Sequence, residues 1–360
     1  MANRQHIRPG RGAASNPAGR FESTRSDAAD DGWGILDEPL PRLETSVLAE
    51  SAKRIIAHND SPDIPFTQSI NPYRGCEHGC VYCYARPSHA FVNLSPGLDF
   101  ETQLFYKRDA RPLLEKELAA KNYQCSPIAL GSNTDPYQPI EREYGVTRSI
   151  LELLSECDHP ATIVTKGAAL IARDIDLLSS MAERRLVAVY ISITTLDAKL
   201  KRTLEPRAAS PKSRLATMER LAGAGIPVGV MVAPVIPALT DHELEAILGQ
   251  AAQAGAESAG FVMLRLPHEV AGLFKEWLLA HEPLKATHVM SRIKAMRGGR
   301  ENDPNFGSRQ RGSGVYADLF RERFELAARK LGLNQNEARF ELDSGRFKPP
   351  IGESAQQRLF

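Results

Sequence analysis

The stretch "SPIALGSN" (126–133) is a short apolar run that ends in Gly and small polar residues, and its sequel decides the fold. "GVTRSILELLSEC" (145–157) follows, with Val146, Ile150, Leu153 and Leu154 spaced along one helical face. The alternation then repeats: "ATIVTKG" (161–167) reads as a strand and "ALIARDIDLLSSMAERR" (169–185) as a helix. "LVAVYISIT" (186–194), a helix around Arg214 to Ala224, "PVGVMVAPVIP" (227–237), "TDHELEAILGQAAQAG" (240–255) and "SAGFVMLRLP" (258–267) continue it. Thr240 and Glu243 stand at capping-box spacing, which marks the start of the last of these helices. With "TQSINPY" (67–73) upstream there are six strand–helix units. Alternation of this kind implies a parallel sheet, and strands that are apolar throughout imply one covered on both faces. No Gly-x-Gly-x-x-Gly follows the first strand, which weakens a dinucleotide-binding open sheet. The expected fold is α/β, a partial (β/α)6 barrel of the TIM type.

The whole chain, 360 residues with 42% hydrophobic and 25% charged residues, has the composition of an ordinary globular protein. A net charge of +1 argues neither for nor against a polyanionic partner. No apolar run long enough for a membrane span occurs, and the first residues lack an apolar signal region. The expectation is a cytoplasmic protein without a membrane partner, in a compartment where clustered cysteines bind metal more often than they pair.

Residues 1–45, rich in Gly, Pro, Ser, Arg and Asp, read as a disordered tail. Residues 46–267 form the barrel unit and 268–360 a helical extension, with "EVAGLFKEWLLAH" (269–281) and "YADLFRERFELAARKLG" (316–332) as its helices. Between these, "RGGRENDPNFGSRQRGSG" (297–314) reads as an exposed loop whose four arginines are either solvated, the favoured reading, or a phosphate-contacting patch.

Three of the five cysteines fall within eight residues of "NPYRGCEHGCVYCYARPSH" (71–89), directly after the first strand. Three thiols leave one over in any disulfide scheme, and are one short of the four ligands of a structural zinc. Cys76, Cys80 and Cys83 could instead each hold one iron of a [4Fe–4S] cube, leaving the fourth iron open to a small molecule. Zinc completed by His78 or His89 is the competing reading. Loops at the carboxyl ends of parallel strands are where such folds build their sites.

The Cys-x3-Cys-x2-Cys spacing, with Tyr82 just before the last cysteine, resembles the signature of the radical S-adenosylmethionine superfamily. The resemblance covers roughly residues 69–265. "NPYRGCEHGCVYCYAR" and "GSNTDPYQPIE" resemble its spore photoproduct lyase-like branch, proteins often labelled DNA repair photolyases. The resemblance implies two cofactors, a [4Fe–4S] cluster on Cys76, Cys80 and Cys83 and S-adenosyl-L-methionine stretched across the other strand ends. Ser132 and Thr134 stand in the segment similar to the one that receives the cofactor's amino group. Lys166 would meet its carboxylate, Ser192 and Thr194 its ribose hydroxyls, and Tyr82, mainly through its backbone, its adenine. Arg207 is a weaker candidate for the carboxylate, and Arg265 for the substrate.

The implied activity is reductive cleavage of S-adenosylmethionine to a 5′-deoxyadenosyl radical, which takes hydrogen from a substrate. An external one-electron reductant of flavodoxin or ferredoxin type is implied as partner, and nucleic acid or a nucleotide is one candidate substrate. The lyase itself carries a hydrogen-donating cysteine at the end of the second strand, where this chain has "LGSNTD" (130–135). Cys125 lies at the other end of that strand and Cys157 near a helix end, so thymine-dimer reversal by the same route is not expected. The alternative from another class is a non-catalytic iron–sulfur or zinc protein serving electron transfer or structure. Only an enzyme that binds S-adenosylmethionine needs Ser132, Lys166, Ser192 and Thr194 at the strand ends.

Overall fold

A computed structural model of the protein describes residues 8–22 and 43–350. Its strands are β1 (Ser46–Glu50), β2 (Ile56–His58), β3 (Gln68–Ile70), β4 (Tyr73–Arg74), β5 (Gln103–Lys107), β6 (Ile128–Leu130), β7 (Ala161–Thr165), β8 (Val187–Ser192), β9 (Val228–Val235) and β10 (Ser258–Met263). Six of them, β3, β6, β7, β8, β9 and β10, pair in chain order and all parallel. β2 adds antiparallel beside β3, and no pairing joins β2 to β10 among the described residues. This is the expected partial barrel, with the strand count and order read from the alternation. β1, β5 and β4 form a small separate sheet outside it.

The central strands β6 and β8 are buried apolar runs that end where polar residues begin. β8 is buried at five of its six positions, as a sheet covered on both faces requires. The helix Val146–Glu156 buries Val146, Ile150, Leu153 and Leu154, the face read from the sequence. The stretch 169–185 is not one helix but two, Ala169–Arg173 and Ile175–Glu183. The break falls at Asp174, whose carboxylate accepts from Arg173, Arg148 and Tyr137. Glu243 likewise forms no capping box. It reaches across to the loop after β8, accepting from Thr195 Oγ1 at 2.6 Å and the Leu196 amide at 2.5 Å. Thr240 Oγ1 accepts from the Ile236 amide instead.

The carboxyl-terminal helices pack onto the barrel. Val270–His281 and Ala286–Ala295, the second unforeseen in the sequence, share a core with Val81, Tyr82, Leu204 and Leu264. The helix Val315–Lys330 lays Phe320 and Phe324 against Phe261 of β10. The loop between them is less solvated than its composition suggests. Arg297 is buried, donating to the Met263, Leu264, Ser308 and Arg309 carbonyls. Arg309 pairs with Asp63 of the β2–β3 turn at 2.5 Å, so this loop ties the β10 side of the open sheet to the β2 side.

From Asn334 onward the chain crosses the amino ends of the strands in reverse order. The Asn334 amide donates to Glu257, ahead of β10, and Asp343 to Arg185, ahead of β8. Lys348 donates to Cys157, ahead of β7, and Phe347 packs on His159 and Tyr123. The amino-terminal face of the barrel is thereby closed, and the face at the carboxyl ends carries the cysteines. Residues 8–22 belong to the stretch read as a tail, yet they lie against the cysteine loop. The remainder of that stretch up to residue 42 is outside the described residues.

Candidate functional site

The cysteine loop leaves β4 and is pinned by backbone groups on several sides. The Cys76 amide donates to Phe100 O at 3.0 Å and the Val81 amide to Leu204 O at 3.1 Å. The "GSNTDPYQ" segment after β6 supplies the other anchors. Thr134 Oγ1 and Gln138 Nε2 both donate to Gly75 O, at 2.7 and 3.2 Å, and the Glu77 amide donates to Gln138 Oε1 at 2.8 Å. Asp135 faces His78 Nδ1 at 3.3 Å, between Cys76 and Cys80 in the chain. It also accepts from the Lys166 amide at 2.8 Å and Thr165 Oγ1 at 2.6 Å. Burial alone would raise the Asp135 carboxyl, but the His78 ring and these donors outweigh it and hold it at about 2. Gly79 has φ +68°, and a Cβ there would stand 2.7 Å from Glu101 Oε2, so the turn between Cys76 and Cys80 requires glycine.

All three thiols are free; Cys76 and Cys80 are buried and Cys83 partly so. Burial pushes each of them up, Cys80 to about 12, so they hold their protons until a cation displaces them. Of the two histidines named as a fourth zinc ligand, each has one ring nitrogen engaged, and His89 keeps a buried Nδ1 without a hydrogen-bond partner. His78 faces Asp135, and His89 spends Nε2 on the Gln103 carbonyl while its ring packs on Phe100. Among the described residues no three His, Cys, Asp or Glu side chains gather about one point that a single ion could fill. The donor set, three thiols on one loop, fits an iron–sulfur cluster in which each thiolate takes its own iron.

A second cluster of groups lies beside this loop, at the carboxyl ends of β7, β8 and β9. Its hub is Glu205, buried in the turn after the helix Ala198–Leu204. Tyr82 Oη and Arg214 Nη2 donate to its carboxylate, as does Thr194 Oγ1 at 2.7 Å. Thr194 also shares a hydrogen bond with Tyr82 Oη at 3.1 Å, and Arg214 Nη1 donates to Ser192 O at 2.7 Å. Burial would raise Glu205, but Arg214 and then Lys166 hold it down at about 2. Lys166 Nζ donates to Ala233 O at 3.3 Å and lies 5.9 Å from the Tyr82 ring centroid.

Six residues were expected to surround the cofactor, Tyr82 mainly through its backbone, and their surroundings differ. Lys166 and Thr194 lie beside Tyr82, while Ser192 is buried at the end of β8, its carbonyl accepting from Arg214. The Tyr82 hydroxyl belongs to the Glu205 network. Ser132 Oγ bonds the Asn71 side chain at the end of β3. Thr134 is turned onto the Gly75 carbonyl, which makes it an anchor of the cysteine loop. Arg207 pairs with Glu77 at 2.6 Å. Arg265 lies 5.6 Å from the Tyr84 ring centroid, on the rim. Cys125 and Cys157 stand ahead of β6 and β7, on the face away from the site. Glu205, Arg214, Gln138 and the Asp135–His78 contact were not found from sequence. Their only trace is "DPYQ" (135–138) and "LEPR" (204–207), short polar stretches with no periodicity to mark their burial.

Barrel, cysteine loop and strand-end network define the class of protein, and the comparisons agree. The model of the Radical SAM superfamily matches residues 70–251, and the chain belongs to that superfamily. It is a radical S-adenosylmethionine enzyme, a class that works with S-adenosylmethionine and an iron–sulfur cluster. An uncharacterised protein of Mycobacterium tuberculosis is 39% identical over 277 residues, 72% of this chain and 81% of that protein. One from Methanocaldococcus jannaschii is 30% identical over 182 residues, 50% of this chain and 64% of its own length. Among solved structures, a variant of spore photoproduct lyase matches with TM-score 0.55 at 16% identity, over 80% of each chain. The same lyase complexed with dinucleoside spore photoproduct matches with TM-score 0.50, also at 16% identity over 80% of each chain. That likeness concerns the fold. Among the described residues no helix is long and apolar enough to cross a membrane.

Proposed function

We propose that Cys76, Cys80 and Cys83 hold a [4Fe–4S] cluster whose open iron binds S-adenosylmethionine. Lys166, Ser192, Thr194, Tyr82 and Ser132 would line the cofactor's path. When bound, the pair supplies a 5′-deoxyadenosyl radical that removes hydrogen from substrate, after one electron from an external flavodoxin- or ferredoxin-type donor. The observation that carries this reading is the meeting of the three-thiol loop with Lys166 and Tyr82 at the carboxyl ends of adjacent parallel strands. Lys166 brings an ammonium to strand ends where Glu205 is already paired with Arg214, which leaves that ammonium available to a carboxylate. Glu205 and Arg214 fix Tyr82 and Thr194 in place, while Thr134, Gln138 and Asp135 fix the loop. On the rim, Tyr84 exposes its ring beneath Arg265, whose Nε is buried without a hydrogen-bond partner. A stacking surface beside a cation supports a nucleotide or nucleic acid as the substrate.

The test is anaerobic. The protein is reconstituted with iron and sulfide, reduced with dithionite and given S-adenosylmethionine, and 5′-deoxyadenosine is sought by chromatography. The native chain is expected to form it and the Cys76→Ala, Cys80→Ala, Cys83→Ala variant to form none. A native chain with a full, reduced cluster that yields none, alone and with single-stranded oligonucleotide added, favours the electron-transfer or structural alternative.

A further inference from the structure

Residues 11–17 are built into the outer wall of the cysteine loop. The Gly12 and Ala13 amides donate to the two oxygens of the Glu101 carboxylate, at 2.9 and 2.8 Å. Arg11 Nη1 donates to the Glu101 carbonyl at 2.9 Å, and Arg11 Nη2 to Leu43 O at 2.7 Å and to Thr45 Oγ1 at 3.1 Å. Thr45 Oγ1 in turn donates to Glu77, inside the loop, at 2.7 Å. Glu101 has no exposed surface, and its remaining partner is Arg86, also fully buried. Arg86 then reaches the loop itself, Nε donating to Cys80 O at 2.9 Å. One continuous chain of hydrogen bonds runs from the Gly12 amide to the backbone of a proposed cluster ligand.

The approach is also steric. A Cβ on Gly12 would lie 1.8 Å from Gly79 O, and one on Gly97 would lie 2.0 Å from Ser15 O. Backbone meets backbone at both points, so neither contact yields by turning a side chain. The Leu98 amide donates to Ser15 O at 3.2 Å, Asn16 Nδ2 to Asp99 at 2.7 Å, and Ser95 Oγ to Pro17 O at 2.7 Å. A buried carboxylate that accepts two backbone amides from this segment loses them to nothing inside the protein if the segment lifts. Water entering to replace them would enter beside Gly79, between Cys76 and Cys80.

We infer that residues 11–17 are a strap that positions the cysteine loop and shields the cluster, with Gly12 and Glu101 as its positioning residues. This rests on the reading of the three cysteines as cluster ligands. The strap also supplies order before any iron is bound, which gives a readout independent of that reading.

The experiment compares the full-length native chain with Gly12→Ala and with Pro9→Ala, an exposed position. Amide hydrogen exchange is measured on the iron-free proteins, and loss of cluster absorbance in air on the reconstituted ones. Gly12→Ala is expected to speed exchange across 11–17 and 76–83 by roughly tenfold or more, the size of losing one hydrogen bond to a buried charge. Exchange at β7, β8 and β9 should stay at the native rate, which excludes general unfolding, and the cluster should bleach several times faster. Pro9→Ala should match the native chain throughout. Three results would overturn the inference. One is unprotected exchange at 11–17 in the native protein, and a second is a Gly12→Ala variant whose strap exchanges as slowly as the native one. The third is a strap released with loop exchange and bleaching unchanged. Failure of every variant to assemble a cluster would sink the proposed function and still leave the iron-free comparison decisive.

Discussion

Glu205 and Arg214 are each 1% exposed and bound to one another, so neither charge has solvent to fall back on. Removing Arg214 alone, as Arg214→Met, leaves a buried carboxylate with only hydroxyl donors. It should destabilise the iron-free protein by about 3–5 kcal/mol in urea denaturation. Adding Glu205→Gln to that variant should recover part of the loss, since the orphaned charge is then gone; a double variant no more stable than the single one contradicts the pairing. The pH dependence follows from the same carboxylate. Glu205 is depressed to about 2 in the folded chain and titrates near 4.3 when unfolded. Its contribution is therefore complete above that unfolded value and lost as the pH falls from there toward 2. Arg214→Met, which removes the main group holding Glu205 down against its burial, should flatten this acid limb of the stability curve. None of this was visible in "LEPR", because burial and a partner nine residues away exist only once the helix Pro211–Gly223 has packed. The cysteine loop was legible for the opposite reason: its three thiols stand close together in the chain itself.

At the scale of elements, hydrophobic periodicity identified the six parallel strands and their order, since each strand carries its pattern within itself. Breaks and connections were less legible. The stretch 169–185 has the propensity of one helix, and only the three donors that converge on Asp174 interrupt it. Thr240 and Glu243 have capping-box spacing, yet the loop after β8 offers Glu243 a hydroxyl and an amide that the local motif cannot outcompete. The arginines of 297–314 looked solvated because their acceptors, the carbonyls closing β10 and Asp63, are remote in sequence. Asp63→Ala should free Arg309 and the Gly307 amide together. The expected loss is about 1–3 kcal/mol, with faster hydrogen exchange confined to 305–312 and the β2–β3 turn. Uniformly faster exchange across the barrel would show that this tie is not local.

Across the whole molecule, the two ends of the described chain close opposite faces of the barrel. Residues 8–22 cover the cysteine loop, and residues 334–348 cover the amino ends of the strands. The two faces should respond separately. Phe347→Ala removes a half-buried ring from His159 and Tyr123 and should cost about 1–3 kcal/mol. It should also quicken exchange at the starts of β6 and β7, while the rate of 5′-deoxyadenosine formation per cluster stays native. A matching fall in that rate would mean that the two faces communicate.

The segment that ends beside Cys157 has a practical use. Lys348 is anchored at the pole opposite the cysteine loop. A molecule tethered to an electrode through that residue would turn its proposed redox centre toward the bathing solution, where a soluble donor could reach it. Tethering through Arg20, near the strap, would press the same centre against the conductor. Comparing the currents of the two orientations would map the route by which electrons enter.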